Sequence, residues 1–195
     1  MARAAFLDRD GVINIDHGYT CRREDFAFVP GVLDAAARLH ALGLTLVVVT
    51  NQSGIGRGMY TEADFHALTD WMRTQFAQAC APLAGVYWCP HHSVDAVGAY
   101  RRECDCRKPA PGMLLAAARD LQIDLGASVL FGDKHSDLQA AQAAGVPERV
   151  LLGTDGRALP TDSQDRGLAT ARYRSLADAV ADELFARRLQ GATVG

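Results

Sequence analysis

The chain has 195 residues, 49% of them hydrophobic, and a formal net charge of −3 with a pI near 6.0. That length and apolar content suffice for one packed core and exclude a disordered chain, while the small negative charge gives no general pull toward nucleic acid or an anionic membrane. No apolar run approaches the roughly 20 residues of a membrane span, and the N-terminus enters fold-forming sequence without a signal-peptide core, so a cytoplasmic protein is expected.

Ala4 to Leu7 reads as a first apolar strand that runs into Asp8-Arg9-Asp10-Gly11-Val12. On extended backbone, alternate residues point to the same side, so the two carboxylates can converge on one metal or one phosphate. Such crowding needs a cation, and hard oxygen ligands suit Mg²⁺. The competing reading is a turn in which Asp10-Gly11 merely reverses the chain. Pro30 to Leu42, ending at Gly43, has the pattern of an amphipathic helix. Leu44 to Val49 is so continuously apolar that both faces should be covered, which points to a parallel sheet. After it comes Thr50-Asn51-Gln52-Ser53-Gly54-Ile55-Gly56-Arg57-Gly58, a hydroxyl, two amides and three glycines at a strand tip, where backbone N–H groups and Thr50 can meet a phosphate. The spacing is not that of a P-loop or a dinucleotide fingerprint, and a purely structural turn is the alternative.

Thr61 to Ala79 should form a helix opened by a Thr61–Asp64 capping pair, and Leu83 to Trp88 a strand. Arg107-Lys108-Pro109 sets two cations before a helix from Pro111 to Leu121, a combination suited to phosphate, although such pairs are commonly just solvated. Ser128 to Phe131 is a strand leading into Gly132-Asp133-Lys134-His135-Ser136-Asp137, where Asp133 could complete a Mg²⁺ site with Asp8; the alternative is an ordinary helix cap, and Asp137 in particular can simply serve the loop. A helix from Ser136 to Ala144 ending at Gly145, a strand from Arg149 to Leu152 and a last helix from about Ser175 to Arg188 follow, while Gly153 to Arg172 has no assignable pattern. Alternating strands and helices imply an open, doubly wound α/β domain over residues 1–195, with ligands at the carboxyl ends of the strands.

The order D-x-D-G, T-N, R-K-P and G-D-x-x-x-D, each after a strand, resembles the haloacid dehalogenase superfamily of phosphotransferases. The resemblance implies a Rossmannoid three-layer α/β/α fold with a mainly parallel sheet, and a Mg²⁺-dependent phosphatase. It implies Asp8 as the nucleophile that becomes an aspartyl-phosphate, and Asp10 as general acid and then base. Thr50 and Lys108 would hold the transferring phosphoryl, with Lys108 also offsetting the charge of Asp8, and Mg²⁺ would sit on Asp8, Asp133 and the backbone carbonyl of Asp10.

Three of the five cysteines lie between Cys89 and Cys106. Cys89 and His91, then twelve residues, then Cys104 and Cys106 supply a complete Cys₃His set for tetrahedral Zn²⁺. Four protein ligands leave no place for water, so the zinc is expected to be structural, pinning the loop of about residues 89–106; His92 is the rival ligand. Cys21 and Cys80 are expected to be unpaired thiols.

With Asp16-His17-Gly18-Tyr19 and Gln52-Ser53-Gly54 added, the chain resembles the heptose 1,7-bisphosphate 7-phosphatase branch of the superfamily from about residue 4 to residue 152. That branch removes one phosphate from a sugar bisphosphate on the way to ADP- or GDP-activated heptose. The resemblance carries substrate contacts onto Asp16, His17, Gly18, Tyr19, Asn51, Gln52, Ser53, Arg107 and Lys134. His17 could equally be a surface histidine and Tyr19 a loop anchor, whereas Arg107 can grip a second, non-reacting phosphate bidentately. Only 41 residues separate Asp10 from Asn51, too few for a large cap domain. Histidinol-phosphate phosphatase is the nearest alternative. A monomer without nucleic-acid or membrane partners is expected.

Overall fold

The computed structural model describes residues 1–153 and 167–191. Six strands, β1 (Arg3–Leu7), β2 (Leu44–Asn51), β3 (Leu83–Cys89), β4 (Val129–Gly132), β5 (Glu148–Leu152) and β6 (Ala171–Tyr173), form one sheet in the order β3-β2-β1-β4-β5-β6. Every adjacent pair of these strands is parallel. Alternation along the strands sends Ala5, Leu7, Leu46, Val48, Val129 and Phe131 into one apolar layer and Ala4, Phe6, Val47, Val49 and Leu130 into the other.

Helices α1 (Val32–Ala41), α2 (Ser53–Gly56), α3 (Glu62–Gln78), α4 (Gly112–Leu121), α5 (His135–Ala143), α6 (Leu176–Ala181) and α7 (Glu183–Gly191) follow in chain order. The first layer is closed by Leu39 of α1, Met72 and Phe76 of α3, and Leu176 and Phe185 of α6 and α7; the second is closed by Leu114 of α4 and Leu138 of α5. This is the three-layer doubly wound arrangement expected from the alternation of elements. The chain steps outward from β1 to β3 and then returns to β4 beside β1, so the crevice between the ends of β1 and β4 is the topological switch point where such folds bind ligands.

Residues 8–31 between β1 and α1 fold back on themselves rather than forming a cap. Asn14 bridges Phe28 in antiparallel fashion, and Val29 N–H donates to the Ile13 carbonyl at 2.9 Å. Phe26 and Phe28 pack on Trp71 of α3, with ring centroids 5.4 and 5.6 Å away, which pins the base of this flap and leaves its Asp16–Tyr19 tip at the strand ends. Among the described residues, no helix is long and apolar enough to cross a membrane.

Three expectations need correction. The last helix is two helices, because the Asp182 carboxylate accepts from the N–H groups of Leu184 and Phe185 at 2.9 and 3.2 Å and so caps a second helix where the first ends. Thr50 and Asn51 belong to β2 itself, and the glycine-rich stretch begins with the four-residue α2. The stretch from Gly153 to Arg172 contains the start of β6, whose three residues are too few to show a period; residues 154–166 of it lie outside the described residues. The Thr61–Asp64 capping box is present as expected.

Phe185 ties the final helix to the sheet through Phe131 and Tyr173, with ring centroids 6.1 and 5.5 Å away. Phe185→Ala is expected to cost about 3–5 kcal/mol of folding stability in urea denaturation. An unchanged midpoint would show that α7 contributes nothing to the core.

Candidate functional site

Four residues, from two strand ends and the turn before a helix, meet at the switch point. Asp8 follows β1, Asp133 and Asp137 follow β4, and Lys108 precedes α4. Lys108 Nζ donates to Asp8 Oδ1 at 2.9 Å, to Asp137 Oδ1 at 2.7 Å and to the Val49 carbonyl at 2.9 Å, so all three ammonium hydrogens are used. The side chain is 2% exposed. Burial would lower its pKa, but the Asp137 and Asp8 carboxylates outweigh burial and hold it above the usual lysine range. A direct phosphoryl contact by Lys108 would have to replace one of these three bonds. Asn51, expected as a sugar contact, also clamps the lysine backbone: its amide accepts from Lys108 N–H and donates to the Lys108 carbonyl, both at 3.1 Å.

The carboxylates of Asp8, Asp133 and Asp137 each place an oxygen within 4.8 Å of the others. Burial pushes the Asp8 carboxyl up, with Lys108 opposing and Asp137 adding to the rise. Burial and the Asp8 charge push Asp133 up to about 8. Asp133 Oδ1 is buried without a hydrogen-bond partner. A buried carboxylate with an unpartnered oxygen beside two others is a donor set suited to a hard divalent cation such as Mg²⁺. Glycines make the approach possible. A Cβ on Gly11, whose φ is +92°, would lie 2.3 Å from Asp133 Oδ2, and one on Gly132 would lie 2.4 Å from Asp137 Cβ. Asp137 therefore both caps α5, through the Lys134 N–H at 3.0 Å, and pairs with Lys108; the G-D-x-x-x-D spacing carried this signal, and the lysine pairing was the half left unread.

Asp10 does not share the cation cluster through its side chain. Arg9, only 2% exposed, donates to it from Nη2 at 2.9 and 3.0 Å and from Nε at 3.2 Å, Asn14 Nδ2 donates at 3.1 Å, and Gln52 Nε2 donates at 3.0 Å. Gln52 Nε2 also donates to Thr50 Oγ1 at 2.9 Å, and Tyr60 donates to Gln52 Oε1 at 2.6 Å. Arg9 and Tyr60 carried no sequence signal, because nothing in their spacing separates them from ordinary loop residues.

A cavity of about 300 Å³ opens beside Asp10 and is lined by Asp16, Gly18, Tyr19, Asn51, Gln52, Ser53, Tyr60 and Lys134 among others. Burial would raise the Asp16 carboxyl, but the Gly18 N–H and Lys134 hold it below the usual range. Lys134 Nζ lies 3.3 Å from Asp16 and 3.7 Å from Asp133, linking flap and cluster. His17 lines a separate recess on the outer side of the flap rather than this cavity. Arg107 Nη1 donates to the His91 carbonyl at 3.1 Å and so ties the R-K-P turn to the cysteine loop.

In that loop the sulfurs of Cys89, Cys104 and Cys106 lie 3.0–3.5 Å apart, and His91 Nδ1 is 3.3 Å from Cys106 Sγ and 3.6 Å from Cys89 Sγ. Tetrahedral Zn–S bonds of about 2.3 Å imply sulfurs about 3.8 Å apart, so a small outward relaxation makes the set fit zinc. Burial pushes the Cys89 thiol up, and a cation is what would make a thiolate stable there. Burial and Arg102 hold the His91 imidazole below its usual range, which keeps it in the neutral form that ligation needs. Arg102 Nη2 donates to His91 Nε2 at 2.8 Å and must turn away when Nδ1 ligates, since Nε2 then carries the hydrogen. His92 is not in the cluster: its Nδ1 accepts from the N–H groups of Val94 and Asp95 at 3.3 and 3.1 Å. Cys21 and Cys80 are free thiols, as expected.

A family model of haloacid dehalogenase-like hydrolases matches residues 2–145. The D-glycero-beta-D-manno-heptose-1,7-bisphosphate 7-phosphatase of Vibrio cholerae is 50% identical over 175 residues, 90% of this chain and 92% of that protein. The Escherichia coli K12 protein of the same name is 54% identical over 151 residues, 77% of this chain and 79% of its own length. The crystal structure of D,D-heptose 1,7-bisphosphate phosphatase from B. bronchiseptica, complexed with magnesium and phosphate, superposes with a TM-score of 0.76 at 34% identity, covering 95% of this chain and 99% of that one.

Two outcomes follow from this geometry. Elemental analysis should find zinc bound to the purified protein, and Cys104→Ser should lose it together with thermal stability, because structural zinc contributes folding free energy; full zinc content in that variant would contradict the ligand set. An acid whose folded pKa is raised keeps its proton after the unfolded chain has lost it, so its contribution to stability falls as pH rises. Without Mg²⁺, the protein should therefore lose stability relative to Asp133→Asn as pH rises from about 4 to about 8. Parallel pH–stability curves would show that Asp133 ionises normally.

Proposed function

The chain belongs to the haloacid dehalogenase-like hydrolases, and on that premise we propose that it is a Mg²⁺-dependent phosphatase that removes the 7-phosphate of D-glycero-β-D-manno-heptose 1,7-bisphosphate. The observation that carries the chemistry is Lys108, buried between Asp8 and Asp137, with the unpartnered Asp133 oxygen beside them. The substrate follows from the shared extent of the relatives and from the small polar cavity, whose flap supplies Asp16, Gly18 and Tyr19.

In this reading the Asp8 carboxylate attacks phosphorus, the bond from phosphorus to the sugar oxygen breaks, and Asp10 gives that oxygen its proton. Water then attacks the aspartyl-phosphate, Asp10 takes the water proton, and Asp8 and inorganic phosphate are released. Lys108 offsets the charge of Asp8 through its ion pair, while the Thr50 hydroxyl, which accepts from Gln52, keeps its hydrogen to donate to the phosphoryl group. Mg²⁺ held by Asp8, Asp133 and the Asp10 carbonyl would, when bound, neutralise charge on the phosphoryl oxygens. Zinc on Cys89, His91, Cys104 and Cys106 would be structural. Asp16, Gly18, Tyr19, Ser53 and Lys134 line the sugar cavity, whereas Arg107 and His17 lie outside that lining; in this reading Arg107 would grip the second, non-reacting phosphate. A cytoplasmic monomer completes the reading; its free cysteines suit a compartment that keeps thiols reduced.

Phosphate release with Mg²⁺ should favour the β anomer of heptose 1,7-bisphosphate over the α anomer, histidinol phosphate and fructose 1,6-bisphosphate by orders of magnitude in kcat/KM. Asp8→Asn should abolish turnover and Asp10→Asn should slow it on the order of a hundredfold or more. Preference for histidinol phosphate would keep the chemistry and overturn the substrate, and undiminished turnover in Asp8→Asn would overturn both.

A further inference from the structure

We propose that Tyr60 is a positioning residue for proton transfer: its hydroxyl fixes the orientation of the Gln52 amide, which in turn holds the acid–base carboxylate of Asp10. The inference rests on the roles assigned above to Asp10 and Thr50. Gln52 is 2% exposed, and its amide is fully engaged. One N–H of Nε2 goes to Asp10 Oδ2 at 3.0 Å, the other to Thr50 Oγ1 at 2.9 Å, and Oε1 accepts from Tyr60 at 2.6 Å. Asp10 accepts from Arg9 and Asn14, and Thr50 Oγ1 stands beside the same nitrogen, so the NH₂ end faces this pair and the group that meets Oε1 must donate. Tyr60 is that donor. Burial pushes its phenol up to about 12, so the hydroxyl keeps its hydrogen throughout the working range.

The packing is specific to this arrangement. Tyr60 is 8% exposed, and Gly54 lets its ring approach the loop: a Cβ there would lie 2.2 Å from Tyr60 Cε1 and 3.0 Å from Tyr19 Cδ1. Without the phenol, Oε1 has no donor and the amide gains nothing from its present orientation. Flipping it would set Oε1 against the Asp10 carboxylate, which is repulsive, so the amide would instead swing away and release Asp10 on that side. Arg9 and Asn14 would then hold Asp10 alone, turned toward themselves rather than toward the leaving oxygen.

The test uses two leaving groups, because an alcohol leaving from phosphorus needs a proton and a nitrophenolate does not. Tyr60→Phe, purified with its metals and assayed with saturating Mg²⁺, should form the aspartyl-phosphate from heptose 1,7-bisphosphate on the order of tenfold more slowly in a single turnover, with KM within about twofold. The burst from p-nitrophenyl phosphate should stay within about twofold of the unmodified protein. Gln52→Leu, which removes the link from its other end and the bond to Thr50 with it, should slow both substrates but slow the heptose bisphosphate on the order of tenfold more, and serves if Tyr60→Phe does not fold. Equal losses on both substrates, a change confined to KM, or no change would overturn the proposal. Failure of the unmodified protein to hydrolyse the heptose bisphosphate while it turns over the aryl phosphate would instead count against the substrate assigned above.

Discussion

A buried ammonium held by two carboxylates is the constraint around which the rest of the site is arranged. Lys108 is buried and has no hydrogen left unpaired, so its position is dictated by Asp8, Asp137 and the Val49 carbonyl together. Breaking such a group of charges by removing one member leaves another uncompensated in a dry interior, which is why its supports are so specific. Asn51 ties both ends of its amide to the lysine backbone, and Gly132 gives up a side chain so that Asp137 can approach. Lys108 sets one positive charge against three carboxyl groups, Asp8, Asp137 and Asp133, crowded enough to push Asp8 and Asp133 toward their protonated forms. A divalent cation would relieve that crowding and let them ionise.

The fold supplies this arrangement at little cost because the carboxyl ends of β1, β2 and β4 converge at the switch point of the sheet. The carboxylate cluster sits at the strand ends, with the flap and the loop after Cys89 beside it. These two segments are not independent. Arg57, just past α2, pairs with Asp95 of the cysteine loop at 2.8 Å and lies over the Tyr19 ring of the flap at 5.8 Å. The loop is docked at its other side by Tyr100, which donates to Glu62 at the start of α3 at 2.8 Å. The cysteine loop therefore braces the cavity from outside.

Much of this was legible in the chain because the motifs are local. The strand-tip carboxylates Asp8 and Asp133, the paired Cys-x-His and Cys-x-Cys spacing and the apolar runs of β1 to β5 each sit within a few residues, where spacing alone constrains geometry. What stayed hidden depends on partners distant in sequence. The pairing of Asp137 with Lys108 spans two strands, the role of Asn51 as a backbone clamp needs the R-K-P turn beside it, and Arg9 and Tyr60 become meaningful only once Asp10 and Gln52 are placed. The split of the last helix at Asp182 was missed because an aspartate inside an apolar-periodic stretch reads as a surface residue until its carboxylate is seen capping Leu184 and Phe185.

The account turns on Asp8 acting as a nucleophile while Lys108 offsets its charge. The direct measurement is mass spectrometry of protein quenched in acid during turnover of heptose 1,7-bisphosphate with Mg²⁺, followed by peptide mapping. A phosphoryl group on Asp8 is the predicted result. An adduct on any other residue, or none in protein shown to be turning over under the same quench, would contradict the account.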